Sequence, residues 1–224
     1  MSSTLSATAL APSALPEILP IFPLSGAVLL PRSRLPLHVF EPRYLAMIDD
    51  VLGTQGRMIG MIQPSGEADK TSDALPPIYS VGCAGRITSF AETEDGRLMI
   101  GLTGVCRFEV KEELKQQNPY RQVLPIWEKF LGDMQEPQDV AIDHNRLSEV
   151  LKPYFKTQSI EADWATIEDM SDETLISTLA MICPLAPNEK QALLEAPDLA
   201  TRAAMLMTLL EMASVPSGDG NARH

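Results

Sequence analysis

The stretch LPIFPLSGAVLLPRSRLPLHVFEPRY, residues Leu19–Tyr44, decides how the fold is read. Its prolines at 20, 23, 31, 36 and 42 exclude a long helix, because each lacks a backbone N–H and clashes with the preceding turn. The apolar residues between them suit short strands. Ile18–Leu24 and Ala27–Leu30 are expected as strands around a turn at Ser25-Gly26. Leu35–Phe40 is expected as another, with Pro36 at an edge or entry position. The pattern then switches to a helix. Pro42 fits its first turn, Glu41 lies at the positive end of its dipole and Gly53 closes it, while Tyr44, Leu45, Ile48, Val51 and Leu52 recur at helical spacing.

Further along, Arg57–Gln63 is expected as a strand, and 64–77 as a polar, mobile loop. Tyr79–Thr93 is again β. Asp95-Gly96 is a strong hairpin signal, because both residues tolerate positive φ; it joins Arg86–Phe90 to Arg97–Leu102. Val105–Val110 follows after Thr103-Gly104. Arg121–Phe130 comes last, with Pro125 suggesting an edge or a bulge. Some seven or eight short strands, with turn signals every ~8–12 residues, point to a sandwich or barrel.

The second part of the chain differs. Residues 1–130 hold 12 Lys+Arg and 14 Asp+Glu, a net of −2, whereas residues 131–224 hold 6 and 16, a net of −10. No glycine occurs in 133–217, so long helices are permitted there. Four are expected. Gln138–Phe155 carries a helical stripe with Pro153 near its end. Ser171–Ile182 begins with an N-cap and two acidic residues. Asn188–Ala196 has Asn188 and Gln191 spaced like a capping box, and Asp198 caps a final helix with Leu199, Ala203, Leu206, Leu210 and Ala213 on one face. Four such helices with short links make a bundle.

Composition excludes several classes of function. The net charge of −12 argues against nucleic acid as a partner, because phosphate binding needs concentrated Lys and Arg. Only a compact Arg32/Arg34/Arg43/Arg57 patch would reverse that. No apolar run approaches the ~20 residues of a membrane helix. The opening MSSTLSATALAPSALP lacks the charge and apolar block of a secretory signal. Three widely spaced cysteines (Cys83, Cys106, Cys183) make no disulfide framework, so a reduced, cytoplasmic protein is expected.

Catalytic signals are weak. No His/Cys/Asp/Glu set has metal-ligand spacing, and neither G-x-x-x-x-G-K-[ST] nor G-x-S-x-G is present. The acidic clusters Glu92-Glu94-Asp95 and Glu168-Asp169-Asp172-Glu173 lack the ligand pattern of a calcium loop and are expected as solvated faces. His144 falls on a polar helix face, and His38 alternates with Leu37 and Val39, which suits a rim position. No catalytic residue, metal or cofactor is expected.

The Leu19–Tyr44 stretch resembles the opening of the Lon N-terminal domain family, the substrate-recognition domain of the ATP-dependent Lon protease. Val81–Ile87 (VGCAGRI), Asp95-Gly96-Arg97, Leu102–Phe108 (LTGVCRF) and Leu193–Met212 extend the resemblance to residues 17–213. Glu109 departs from the pattern, where a basic or apolar residue is expected. The resemblance implies an α+β fold: a mostly antiparallel, PUA-like β pseudo-barrel with one short helix, followed by an α-helical bundle. The expected layout is a disordered leader (1–16), the barrel (17–131), the bundle (132–214) and a flexible tail (215–224). Walker and protease motifs have no counterpart in the sequence. The chain therefore reads as a stand-alone, non-catalytic substrate-binding module of protein quality control.

Its expected partners are unfolded or hydrophobic polypeptide segments, with a Lon-type protease as a further one, and neither nucleic acid nor membrane. The candidate peptide-binding residues are Phe22, Leu35, His38, Phe40, Glu41, Arg43 and Tyr44. In the competing reading Phe40 and Tyr44 merely wedge the first helix onto the barrel and Arg43 pairs with a carboxylate. Binding would use an apolar groove and open strand edges, where an incoming segment adds main-chain hydrogen bonds. The alternative is a hydrolase or small-ligand protein with an unrecognised site on the barrel.

Overall fold

The computed structural model describes residues 14–66, 75–115, 117–136, 142–161 and 163–214. The first part contains β1 (Leu19–Pro23), β2 (Arg34–Val39), α1 (Pro42–Leu52), β3 (Met58–Ile62), β4 (Val81–Glu92), β5 (Leu98–Glu113) and β6 (Arg121–Ile126), then a 3-10 helix at Glu128–Met134. Next come α2 (His144–Thr157), α3 (Trp164–Glu168), α4 (Asp172–Ile182), α5 (Pro187–Glu195) and α6 (Leu199–Ser214). The chain separates into two compact units, Met1–Pro137 and Gln138–His224.

In the first unit the strands lie in the order β2-β5-β4-β3-β1-β6, and a further pairing of β5 with β6 closes the sheet into a ring. Every pairing is antiparallel except β1 with β3. β2 stays outside the ring, attached to the first half of β5. The mixed α+β class, with a mostly antiparallel sheet, is the one the sequence implied.

Three strand assignments need correction. Ala27–Leu30 is not a strand, although Val28, Leu29 and Leu30 are buried. An apolar run alone cannot distinguish a strand from a buried crossing. Here the segment crosses β5 at one point: Arg32 N–H donates to the Gly104 carbonyl at 2.9 Å and Gly104 N–H to Ser33 at 2.9 Å. The break expected at Thr103-Gly104 is absent, because β5 runs through it. Gly104 permits the crossing, since a Cβ there would lie 2.0 Å from the Leu30 carbonyl oxygen. The final strand ends at Ile126, and the rest of the expected Arg121–Phe130 strand turns into the 3-10 helix.

The barrel core gathers Leu19, Ile21, Met58, Ile62, Ala84, Phe108 and Val123, with Trp127 packed against it. Phe108 is fully buried, and its ring occupies the space that Cβ atoms on Gly60 and Gly82 would need. At the barrel's end Arg107 makes a buried ion pair with Asp133 of the 3-10 helix. Its Nε and Nη2 each donate to the carboxylate at 2.8 Å, and its backbone N–H donates at 3.0 Å.

In the helical unit the caps set the helix starts. The Asp143 carboxylate accepts from the Arg146 N–H at 3.0 Å, so α2 begins at His144; residues 138–141 of the longer helix expected lie outside the described residues, as do 1–13, 67–74 and 215–224. Ser171 caps α4 as expected. α5 starts at Pro187 with Glu189 accepting the Ala186 N–H at 2.8 Å, and Gln191 bonds Glu195 instead of serving as a cap. Ala213 is exposed and falls off the expected α6 face, where Ala203, Leu206 and Leu210 are buried. α3, five residues long, is a helix too short for periodicity to reveal. His144 is not simply solvated: its Nε2 lies 2.6 Å from the Asp172 carboxylate, tying the start of α2 to that of α4.

Gly104→Ala should destabilise the chain by at least about 1–3 kcal/mol, because the neighbour that must yield is backbone. Gly132→Ala, where a Cβ meets nothing within 4 Å, should stay within about 0.5 kcal/mol of the parent. Urea denaturation of both variants measures the difference. Asp133→Ala should cost about 3–5 kcal/mol, by leaving a buried guanidinium without its partner.

Candidate functional site

β2 begins where Gly104 holds the preceding loop against β5, and its side chains alternate. Arg34, Pro36 and His38 are exposed, whereas Leu35 and Leu37 are half-buried and Val39 is buried. Pro36, with no N–H to donate, suits an edge strand. β5 flanks β2 on one side, and no described strand covers the other. In register, His38 lies opposite Met99 of β5, which lies opposite Ala91 of β4. Phe40, just beyond β2, meets His38 edge-on at a centroid distance of 6.4 Å, and the Arg97 guanidinium stands 5.9 Å from the Phe40 ring. Phe40 is 61% exposed and Met99 53%. The result is an exposed row of Phe40, His38, Met99 and Ala91 beside an open strand edge.

The remaining candidates lie elsewhere. Phe22 and Tyr44 stack with centroids 4.0 Å apart and 15° between planes, both buried, and fasten α1 to β1. Burial pushes the Tyr44 hydroxyl pKa up. Glu41 occupies the N-cap position of α1 but makes no side-chain cap; its carboxylate pairs instead with Arg43 at 2.7 Å. Arg43 in turn covers the Tyr44 ring at 4.6 Å. Leu35 is on the half-buried side of β2. Of the seven candidates, then, the structure brings His38 and Phe40 together on an open surface and uses Phe22 and Tyr44 for packing. Arg43 and Tyr44 also line a cleft of about 110 Å³ with Pro23, Pro76, Pro119 and Arg121. Met99 and Ala91 join the exposed row only through cross-strand register, which no local pattern reveals.

The other chemical groups are held tightly. Cys83, Cys106 and Cys183 are free and buried. Burial raises all three thiol pKa values, Cys106 to about 12 and Cys183 to about 11, so none is a thiolate nucleophile near neutral pH. No group of three or more His, Cys, Asp or Glu among the described residues is placed to hold a metal ion. Of the four arginines considered for phosphate, Arg32 donates to the Asp133 and Gln135 carbonyls and Arg43 is paired with Glu41. Among the described residues no helix is long and apolar enough to cross a membrane.

The family model of the ATP-dependent protease La (LON) substrate-binding domain matches residues 18–212. Lon protease 2 of Sorangium cellulosum is 28% identical over 207 residues, covering 89% of this chain and 25% of that protein. Lon protease 1 of Herpetosiphon aurantiacus is 22% identical over 202 residues, covering 88% and 24%. The chain thus spans about a quarter of the length of the curated relatives it matches. Among solved structures, a Lon N-terminal domain protein from Xanthomonas campestris aligns with a TM-score of 0.57 at 25% identity, covering 85% of this chain and 97% of that one. The N-terminal domain of Mycobacterium avium complex Lon protease aligns at 0.59 with 15% identity, a likeness of fold, covering 86% and 97%.

Tyr44→Ala should cost about 3–5 kcal/mol in urea denaturation, the usual loss for a buried aromatic ring. Phe40→Ser should change stability by no more than about 0.5 kcal/mol. With a thiol-reactive chromophore at pH 8, all three cysteines should react after denaturation and none promptly in the native chain.

Proposed function

We propose, from the premise that this chain belongs to the ATP-dependent protease La (LON) substrate-binding domain family, that it holds unfolded or hydrophobic polypeptide segments without cutting them. The observation that carries this reading is the exposed row Phe40–His38–Met99–Ala91, which runs inward across β5 and β4 from the open edge of β2. An extended segment can donate to and accept from the outer main-chain groups of β2 while its apolar side chains rest on Phe40 and Met99. Main-chain bonds supply affinity that tolerates many sequences, and the apolar row favours unfolded chains over folded ones. That combination suits a receptor for diverse clients.

In this reading Phe22 and Tyr44 fasten α1 to β1, and Leu35 lies opposite Leu102 of β5 on the half-buried side of β2. Glu41 and Arg43 hold the corner at which Phe40 stands. The clients pass to a Lon-type protease in the reducing cytoplasm, an environment in keeping with three free thiols. Binding, rather than bond breaking, is supported by the matched family, a substrate-binding domain.

Fluorescence anisotropy with a labelled apolar peptide tests the proposal. The native chain should bind without ATP, and Phe40→Ser combined with Met99→Ser should weaken binding about 5–30-fold, in line with the loss of ~1–2 kcal/mol at an exposed anchor. Equal binding by parent and double variant would remove this surface from the function. Casein incubated with the chain should remain intact with or without ATP.

A further inference from the structure

A second opening on the first unit lies where α1 ends. It is a groove of about 440 Å³, walled on its apolar side by Pro16, Ile18, Pro20, Val51 and Met58. Ile18 is 47% exposed in that wall. The polar side carries Asp50, whose Oδ2 accepts the Tyr120 hydroxyl at 2.7 Å. Burial, reinforced by Asp50, pushes the Tyr120 pKa up to about 12, so the phenol remains a donor at neutral pH. One oxygen of this exposed carboxylate is thereby tied to Tyr120. Its other oxygen takes no hydrogen bond from any described residue.

No Lys or Arg among the described residues lines the groove, and the last turn of α1 carries no basic residue. The negative end of the α1 dipole lies at the same place. The walls are thus apolar and the field is negative, with one half-used acceptor. A wholly apolar side chain filling this space would cover the carboxylate without pairing it, which is costly. An acidic side chain would be repelled. The complementary shape and charge belong to a long aliphatic stem with a cationic tip.

We propose that this groove is a specificity subsite taking a Lys or Arg side chain of a bound polypeptide. The stem would lie along Pro20, Ile18 and Met58, with the cationic head on the free oxygen of Asp50. This rests on the polypeptide-binding reading above and adds a chemical preference to it: clients with a basic residue set among apolar ones.

The test uses labelled apolar peptides that differ at one central position, which holds Lys, norleucine or Glu. The native chain should bind the Lys peptide about tenfold tighter than the norleucine peptide, the worth of one hydrogen-bonded ion pair, and the Glu peptide more weakly than either. Added salt should shrink the Lys advantage. Asp50→Asn, which retains an acceptor for Tyr120, should abolish the advantage by weakening the Lys peptide, with norleucine binding equal to or tighter than that of the native chain. Ile18→Arg, which puts a cation in the wall, should abolish it as well. If the norleucine peptide binds in a Phe40-dependent manner but Asp50→Asn leaves the Lys-to-norleucine ratio unaltered, the subsite is overturned while the polypeptide-binding reading stands. If no peptide binds the native chain, both fall.

Discussion

The first unit is organised around one buried ring, that of Phe108. It fills the barrel interior, lies where side chains on Gly60 and Gly82 would have to be, and meets Trp127 edge-on at 5.8 Å. Two adjacent strands, β3 and β4, contribute bare backbone so that a residue of β5 can pack between them. Interiors are packed as closely as organic crystals, so this arrangement leaves little freedom in how the three strands align. β5 is also the strand that pairs with β4, β2 and β6, and closure of the ring follows from its position. The bulges in its pairing with β4, between Ala84 and Gly85 and between Ile87 and Ser89, give the curvature that closure needs.

Charge is placed in the interior sparingly. The Arg107 guanidinium and backbone N–H both reach Asp133, the side chain lies 4.8 Å from the Phe130 ring centroid, and the 3-10 helix is thereby fixed to β5. In the helical unit two buried cations act on backbone instead. Lys190 donates to the Met181 carbonyl at 2.7 Å, its pKa lowered by burial, and Arg202 donates to the Leu193 carbonyl at 2.9 Å. Both satisfy carbonyls near helix C-termini, where α4 and α5 would otherwise leave acceptors unmatched.

The surface proposed for polypeptide follows from the same geometry. β2 is held on β5 by Val39 and by the crossing at Gly104, yet no described strand covers its outer side. A sheet that needs an open edge must limit self-association, and Pro36 and the short length of β2 do so here. The same edge can then serve a chain that brings its own apolar residues to Phe40 and Met99. The groove at the end of α1 is different in kind, apolar in its walls and negative at one oxygen. The two surfaces would recognise backbone with apolar side chains and basic side chains, respectively.

Local chemistry alone determined much of this protein. The prolines excluded long helices before residue 42, Pro42 and Gly53 bracketed α1, Asp95-Gly96 marked the hairpin between β4 and β5, and Ser171 marked the start of α4. Each is a constraint of φ, of a missing N–H or of a cap, acting within a few residues of the chain. The α+β class and the Lon-type resemblance were legible for the same reason. Tertiary structure decided the rest. Val28–Leu30 became a buried crossing instead of a strand, and Gly104 a point of contact instead of a strand end. Phe22 and Tyr44 went to packing while Phe40 stayed in solvent. Met99 joined His38 across a register, and Asp50 met Tyr120 from 70 residues away. Such outcomes depend on which backbones approach closely and which side chains share a face, and residues distant in sequence set those relations only once the chain has packed.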